Sequence, residues 1–282
     1  MTVKLIAVDM DGTFLNEEKK YNKQRFLQQY QQLKERGIHF VVASGNQLYT
    51  LKNYFPEIAN EISYVAENGA FVMSGTEEIH FSHFSQKIKE QLLTDLITQY
   101  EQATIVCGKK GAYISQKVPQ SDMPKLNKYF KRLTSVENLL NIDDEICKVT
   151  INTQHFDFDT LQNALKKKTY IEQQQVKMVS SGFGFIDLIV PKKHKAYGLA
   201  FLQKQWQVAD HEILAIGDNN NDIEMVEKAG YGIAMKNAVD ELKDVASYVV
   251  RSNEEEGVLN VLDCVLHAQN TEDLIHQLAK QE

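Results

Sequence analysis

Carboxylates and a hydroxyl stand at the ends of several apolar runs in this chain. Asp9 and Asp11 follow Leu5-Ile6-Ala7-Val8, and Ser44 follows Val41-Val42-Ala43. Asp218 follows Ile213-Leu214-Ala215-Ile216-Gly217, with Asp222 one helical turn further on. Each alone is an ordinary turn residue. Together they suggest a shared crevice, because ligands bind outside the carboxyl ends of the strands in an open parallel sheet. Gathered there, Asp9, Asp11, Asp218 and Asp222 would repel one another without a cation. Hard oxygen donors without thiols suit Mg²⁺. A carboxylate can attack phosphorus to form an aspartyl-phosphate. A second carboxylic acid can protonate the leaving oxygen and then activate water. A serine hydroxyl and a lysine ammonium can hold the other phosphoryl oxygens as their charge redistributes.

The elements that must position these groups follow the same pattern. Leu5–Val8 is a short continuous apolar run, as a strand buried on both faces requires, and 38–43 reads as a second buried strand. Between them Phe26, Tyr30 and Leu33 recur at helical spacing, and Gly37 stands where a C-cap belongs. Strand, helix, strand at this length is a right-handed parallel crossover. A third strand ends at Glu67-Asn68-Gly69, and Phe71-Val72-Met73 and Ile79-His80-Phe81 flank a hairpin turn. From about residue 82 the texture changes to helices near 86–100, 121–132 and 157–168 among strands at 104–107, 112–114, 148–151, 176–179 and 185–189. That block predicts an α+β region with an antiparallel or mixed sheet. After Pro191 the first texture returns, with a helix near 195–206 and strands at 213–217, 231–235 and 248–250. The chain reads as one parallel α/β domain interrupted by a second domain.

Composition sets the outer bounds. The 282 residues carry 38 acidic and 31 basic side chains, a net charge of −7, and are 43% hydrophobic. That supports a globular chain with a sizeable core. The acidic balance argues against a general nucleic-acid binder. Cys107, Cys147 and Cys264 lie far apart with no CxxC spacing, which predicts reduced thiols rather than disulfides or a zinc site. The first residues lack a signal-peptide pattern, and no run approaches the ~20 apolar residues of a membrane span. A cytoplasmic protein with no membrane or nucleic-acid partner is expected, as a monomer or small homo-oligomer.

Four ordered motifs carry a resemblance to the haloacid dehalogenase-like phosphohydrolases. Asp9-Met10-Asp11-Gly12-Thr13 resembles their DxDGT motif, and Ser44 their second motif. Lys195 falls where the third expects a lysine opening a helix, and Gly217-Asp218-Asn219-Asn220-Asn221-Asp222 resembles GDxxND. Gly232-Ile233-Ala234-Met235-Lys236-Asn237-Ala238 and Glu256-Gly257-Val258 are similar to two further family segments. An insert between the second and third motifs resembles the C2 cap of the Cof-type, class IIB members, and further runs resemble their bacterial sugar-phosphatase branch. These include Ala43-Ser44-Gly45-Asn46-Gln47, Ala66-Glu67-Asn68-Gly69-Ala70, Ser181-Gly182-Phe183-Gly184-Phe185-Ile186-Asp187 and His194-Lys195-Ala196. The resemblance implies an α/β fold. Its Rossmann-like parallel-sheet core would be 1–81 and 188–282, with an inserted α+β C2B-type cap at 82–187.

The resemblance also implies roles. Asp9 would be nucleophile and Mg²⁺ ligand, and Asp11 the acid/base, with its backbone carbonyl on the metal. Asp218 would complete the metal ligands. Ser44, Gly45, Lys195 and Asn221 would hold the phosphoryl group, and Asp222 would orient Lys195 or a metal-bound water. Asp222 is equally an acid of the first helical turn, favoured there by the dipole. Lys192 and Lys193 rival Lys195, which is preferred because the other two lie nearer the preceding strand. Asn46 departs from the Arg that many relatives carry. Glu67 and Asn68 are candidates for sugar hydroxyls or cap contacts, His194 for surface or packing, and Trp206 for core or interface. The expected activity is Mg²⁺-dependent hydrolysis of small sugar phosphates. A phosphomannomutase-type mutase and a non-catalytic phosphosugar-binding protein are the alternatives.

Overall fold

The computed structural model describes residues 3–180 and 184–281. Residues 181–183 of the expected loop around Gly182-Phe183-Gly184 therefore lie outside the described residues. Strands β1 (Leu5–Val8), β2 (His39–Ala43), β3 (Ser63–Ala66), β4 (Phe71–Ser74) and β5 (Glu77–Phe81) come first. Then follow β6 (Thr104–Gly108), β7 (Ala112–Ser115), β8 (Leu133–Val136), β9 (Ile146–Asn152), β10 (Lys177–Ser180) and β11 (Phe185–Ile189). The last strands are β12 (Ile213–Gly217), β13 (Tyr231–Met235) and β14 (Tyr248–Val250), and helices Gly257–His267 and Thr271–Leu278 follow them.

The chain divides into two compact units. The first comprises Met1–Ser44, Ile58–Ile79 and His194–Glu282. Its sheet runs β14-β13-β12-β1-β2-β3-β4-β5. From β14 to β3 all pairs are parallel, and β4 turns back antiparallel on β3. Leu5 lies between Ile213 and His39, so β1 is flanked by β12 and β2. Their C-terminal ends therefore stand side by side, as the apolar runs predicted. The helix Lys23–Glu35 starts where the Asn22 side chain accepts from the Arg25 backbone N–H. Its buried face carries Phe26, Tyr30 and Leu33. Phe26 meets Phe14 and Phe40 with ring centroids 5.0 Å away in each case. Arg25 fastens this helix to Gly257–His267 through Asn260 at 2.8 Å and Asp263 at 2.5 Å. Trp206 stacks flat on His39, with centroids 3.8 Å apart.

The second unit comprises Gly45–Glu57 and His80–Lys193, with sheet order β10-β11-β9-β6-β7-β8. The sheet is mixed: β7 and β8 are parallel and the other pairs antiparallel. Helices Gln86–Tyr100 and Phe158–Lys166 contribute Leu92, Leu96, Leu161 and Leu165 to a core with Val106, Val149, Ile151, Ile186 and Leu188. On β9 the alternate residues Lys148, Thr150 and Asn152 are buried as well. Thr150 Oγ1 donates to Asp187 Oδ1 at 2.6 Å, and Lys148 Nζ donates to the Gly45 carbonyl at 3.1 Å.

Several local expectations differ from the structure. The helix expected over 121–132 is Met123–Tyr129, because Phe130 turns extended (φ −122°) and the chain enters β8. Strand β8 was not expected, since its exposed Thr134 and Ser135 hide any apolar pattern. The unit boundaries also differ from 81/82 and 187/188. Strand β11 pairs with β9 as far as Ile189, so 188–193 go with the second unit. The segment Gly45–Glu57 joins it because Thr50 Oγ1 donates to the Tyr129 carbonyl (2.8 Å) and Tyr49 OH to that of Lys109 (3.0 Å).

Phe26 is fully buried among aromatic rings. Phe26→Ala is expected to cost about 3–5 kcal/mol in urea unfolding, the range for a large side chain lost from a rigid core. A loss well under that range would contradict this packing.

Candidate active site

The first unit brings Asp9, Asp11, Ser44, Lys195, Asp218, Asn221 and Asp222 to the C-terminal ends of β1, β2 and β12 and the loops that follow. Gly45 begins the second unit. Lys195 opens the helix Lys195–Trp206 and is wholly buried. Its Nζ donates to Asp9 Oδ1 at 2.5 Å and to Asp222 Oδ1 at 2.6 Å. Lys192, by contrast, is exposed in a turn with φ 59°. His194 caps the same helix: its Nδ1 accepts from the Tyr197 backbone N–H at 3.2 Å.

Asp222 is fully buried, and its second oxygen accepts the backbone N–H groups of Asp218 and Asn219, each at 3.1 Å. It thus holds both the loop after β12 and the ammonium of Lys195. A side chain at Gly217 would collide with Asp222, so this close approach requires glycine there. Gly12 has φ +83°, and a Cβ on it would fall onto the Asp218 carboxylate. The DxDGT turn can therefore fold back against the end of β12.

One oxygen from each of Asp9, Asp218 and Asp222 lies within 4.8 Å of the others. Burial pushes the Asp9 carboxyl well above the usual carboxylate range; Lys195 opposes the rise, and Asp222 and Asp218 add to it. Asp218 is pushed up to about 6, first by burial and then by Asp222, with the Thr13 hydrogen bond opposing. For Lys195 burial alone favours the neutral amine, but Asp222 and Asp9 outweigh it and hold the ammonium firmly charged. Both Asp222 oxygens are engaged by protein donors, so Asp9 and Asp218 are the side chains placed to ligate a cation. Two hard carboxylates whose charge is costly without a counter-ion fit Mg²⁺.

Asp11 stands apart from this cluster, and its carboxylate pairs with Lys19 Nζ at 2.6 Å. Three participants were missed in the sequence. Lys19, with φ 60°, had no signal beyond its charge. Thr13 donates its hydroxyl to Asp218 Oδ1 at 2.8 Å, and Asn237 donates to the Gly12 carbonyl at 2.8 Å. The last two lie inside quoted motifs, which was the available signal.

The site thus gathers acids at adjacent strand ends of a parallel sheet around one buried, paired lysine. The family described as haloacid dehalogenase-like hydrolase matches residues 6–262. The 5-amino-6-(5-phospho-D-ribitylamino)uracil phosphatase YbjI of Escherichia coli strain K12 is 45% identical over 266 residues, covering 94% of this chain and 97% of the relative. The crystal structure of SMU.1108c from Streptococcus mutans UA159 superposes with TM-score 0.83 at 34% identity, covering 94% of this chain and 99% of that one. The subclass IIB sugar phosphatase BT4131 shares the fold, with TM-score 0.75 at 20% identity over 93% of this chain and 98% of its own. The chain belongs to the haloacid dehalogenase-like hydrolases and is a phosphoric monoester hydrolase. Among the described residues no helix is long and apolar enough to cross a membrane.

Two outcomes follow from the electrostatics. An acid whose folded pKa is raised gives stability that is present at low pH and lost as pH rises towards the folded value. For Asp218 that loss runs from its ordinary 3.8 up to about 6. Mg²⁺ should offset it. At a hundredfold excess over Kd, Tm at pH 7.5 should rise by roughly 5 °C, and the shift should shrink towards pH 5; an equal shift at both values would contradict the assignment. Separately, Lys195→Ala leaves two buried carboxylates uncompensated and should cost about 3–5 kcal/mol in urea unfolding.

Proposed function

We propose that this enzyme is a Mg²⁺-dependent phosphatase of small sugar phosphates and related polyol phosphates, acting through an aspartyl-phosphate on Asp9. The observation that carries the reading is Lys195 Nζ held between Asp9 and Asp222, with Asp218 beside them. A buried, permanently charged ammonium on one oxygen of Asp9 orients the other towards an incoming phosphorus. Asp9 attacks, forming the new P–O bond as the ester P–O bond breaks. Asp11, paired with Lys19 in this structure, would leave that partner and take up a proton to act as the acid that protonates the leaving alcohol oxygen. Asp11, now a carboxylate, takes a proton from water as that water attacks phosphorus, which frees Asp9 and inorganic phosphate. Ser44, Lys195 and Asn221 hold the three oxygens that stay on phosphorus. Asp9, Asp218 and the Asp11 carbonyl would hold Mg²⁺, which would supply charge neutralisation for the phosphoryl group. Asp222 orients Lys195.

The E. coli relative is named for a phosphoribitylaminouracil. A terminal phosphate on an open polyol chain is accordingly the first substrate class to test here, beside the hexose and pentose phosphates. Phosphate release from such a panel is expected with Mg²⁺ and not with EDTA. Asp9→Asn should lower kcat on an aryl phosphate by roughly 10⁴-fold or more while its far-UV circular dichroism stays that of the wild type. An isomeric sugar phosphate in place of free phosphate would instead identify a mutase, and no turnover of any phosphomonoester would leave a binding protein.

A further inference from the structure

The bend Glu67–Gly69 after β3 has three consecutive residues in the left-handed region, with φ of 52°, 55° and 95°. Two of the three carry a Cβ, for which that region is unfavourable. Such strain persists only where the surroundings impose it, and it collects at functional sites. Glu67 and Asn68 are also buried, so solvent does not relax them.

What surrounds the bend belongs to three of the four motifs. The Asn68 backbone N–H donates to the Ser44 carbonyl at 3.1 Å. The Asn68 side-chain Oδ1 accepts from Asn221 Nδ2 at 3.2 Å. Gly69 packs so closely on the His194 carbonyl, next to Lys195, that a Cβ there would collide with it. Ser44, Asn221 and Lys195 come from distant stretches of sequence, and this one bend touches or adjoins all three.

We propose that the Glu67–Gly69 bend is a positioning element of the phosphoryl site, with Asn68 as its positioning residue. Its backbone fixes Ser44, and its side chain holds the exposed Asn221 amide at a set reach from Ser44. The idea rests on the phosphatase reading above, in which Ser44 and Asn221 grip the phosphoryl oxygens. It also replaces the expectation that Asn68 meets sugar hydroxyls. A residue that works through the phosphoryl grip affects every phosphomonoester alike, whatever the leaving group.

Asn68→Gly isolates the side chain. Glycine adopts the same φ freely and keeps the N–H to Ser44, while the acceptor for Asn221 disappears. The expected result is a Tm equal to that of the wild type or higher. With it, kcat/KM should fall about tenfold on both an aryl phosphate and a sugar phosphate, and inorganic phosphate should bind more weakly. In a double-mutant cycle, Asn68→Gly with Asn221→Ala should be no worse than Asn221→Ala alone. Wild-type kcat/KM in Asn68→Gly, a loss confined to the sugar phosphate, or full additivity in the cycle would each overturn the proposal. A merely structural role would lower Tm and leave the cycle additive. If the glycine variant is not recovered folded, Asn68→Ala removes the same acceptor and is read by the same cycle. Turnover by the wild type tests the phosphatase reading separately. The phosphate affinities of wild type and variant compare the grip without any turnover.

Discussion

Lys195 places a full positive charge where no water reaches it, and much of the first unit is arranged to keep that charge paired. Burial of a lone ammonium would cost of order 20 kcal/mol in the ideal limit. Two carboxylates at hydrogen-bond distance are what make it tenable. Asp9 comes from the end of β1 and Asp222 from the loop after β12, so these strands must be neighbours. They are, in register from Leu5↔Ile213 to Val8↔Ile216. Asp222 in turn is held by the Asp218 and Asn219 N–H groups, which lets it anchor a charge without moving.

That pairing leaves an imbalance. One ammonium faces three clustered acids; burial first, and then the neighbouring carboxylates, push the Asp9 and Asp218 carboxyls upward, with Lys195 opposing. The same excess makes the cluster receptive to a divalent cation, and a cation in turn favours a phosphate dianion. The glycines serve this crowding. Gly12 and Gly217 stand where a side chain would strike Asp218 and Asp222, so the acids can approach one another more closely than side chains would permit.

Much of the first unit was legible because its strands are buried on both faces. Continuous runs such as Leu5–Val8 and Ile213–Gly217 have one plausible structure, and a chemical residue directly after such a run lies at a strand end. The second unit was less legible. Lys148-Val149-Thr150-Ile151-Asn152 alternates as a half-exposed strand should, yet all five residues are buried. Their polar face is satisfied by Asp187, Gly45 and Asp122, contacts far along the chain that no local pattern announces. Strand β8 was invisible for the opposite reason, since a polar, exposed edge strand leaves no apolar signature.

Residue types and spacing placed acids and a hydroxyl at strand ends, where phosphoryl transfer is one chemistry they can support; the ordered motifs that resemble the haloacid dehalogenase-like family narrowed the class and singled out Lys195. Residue types and spacing also separated an interrupted parallel domain from its insert, because local apolar periodicity reports burial directly. Only the tertiary structure shows that Lys195 is buried and paired with Asp9 and Asp222 while Lys192 is exposed, since burial and partners, not charge, distinguish one lysine from the next. It alone set Asp11 on Lys19 and away from the acidic cluster. It also gave Asp222 both its tasks and brought Asn68 to Ser44 and Asn221. Hydrogen bonds of that kind depend on distances of a few ångströms between segments far apart in sequence, and those distances exist only once the sheet has closed around its core.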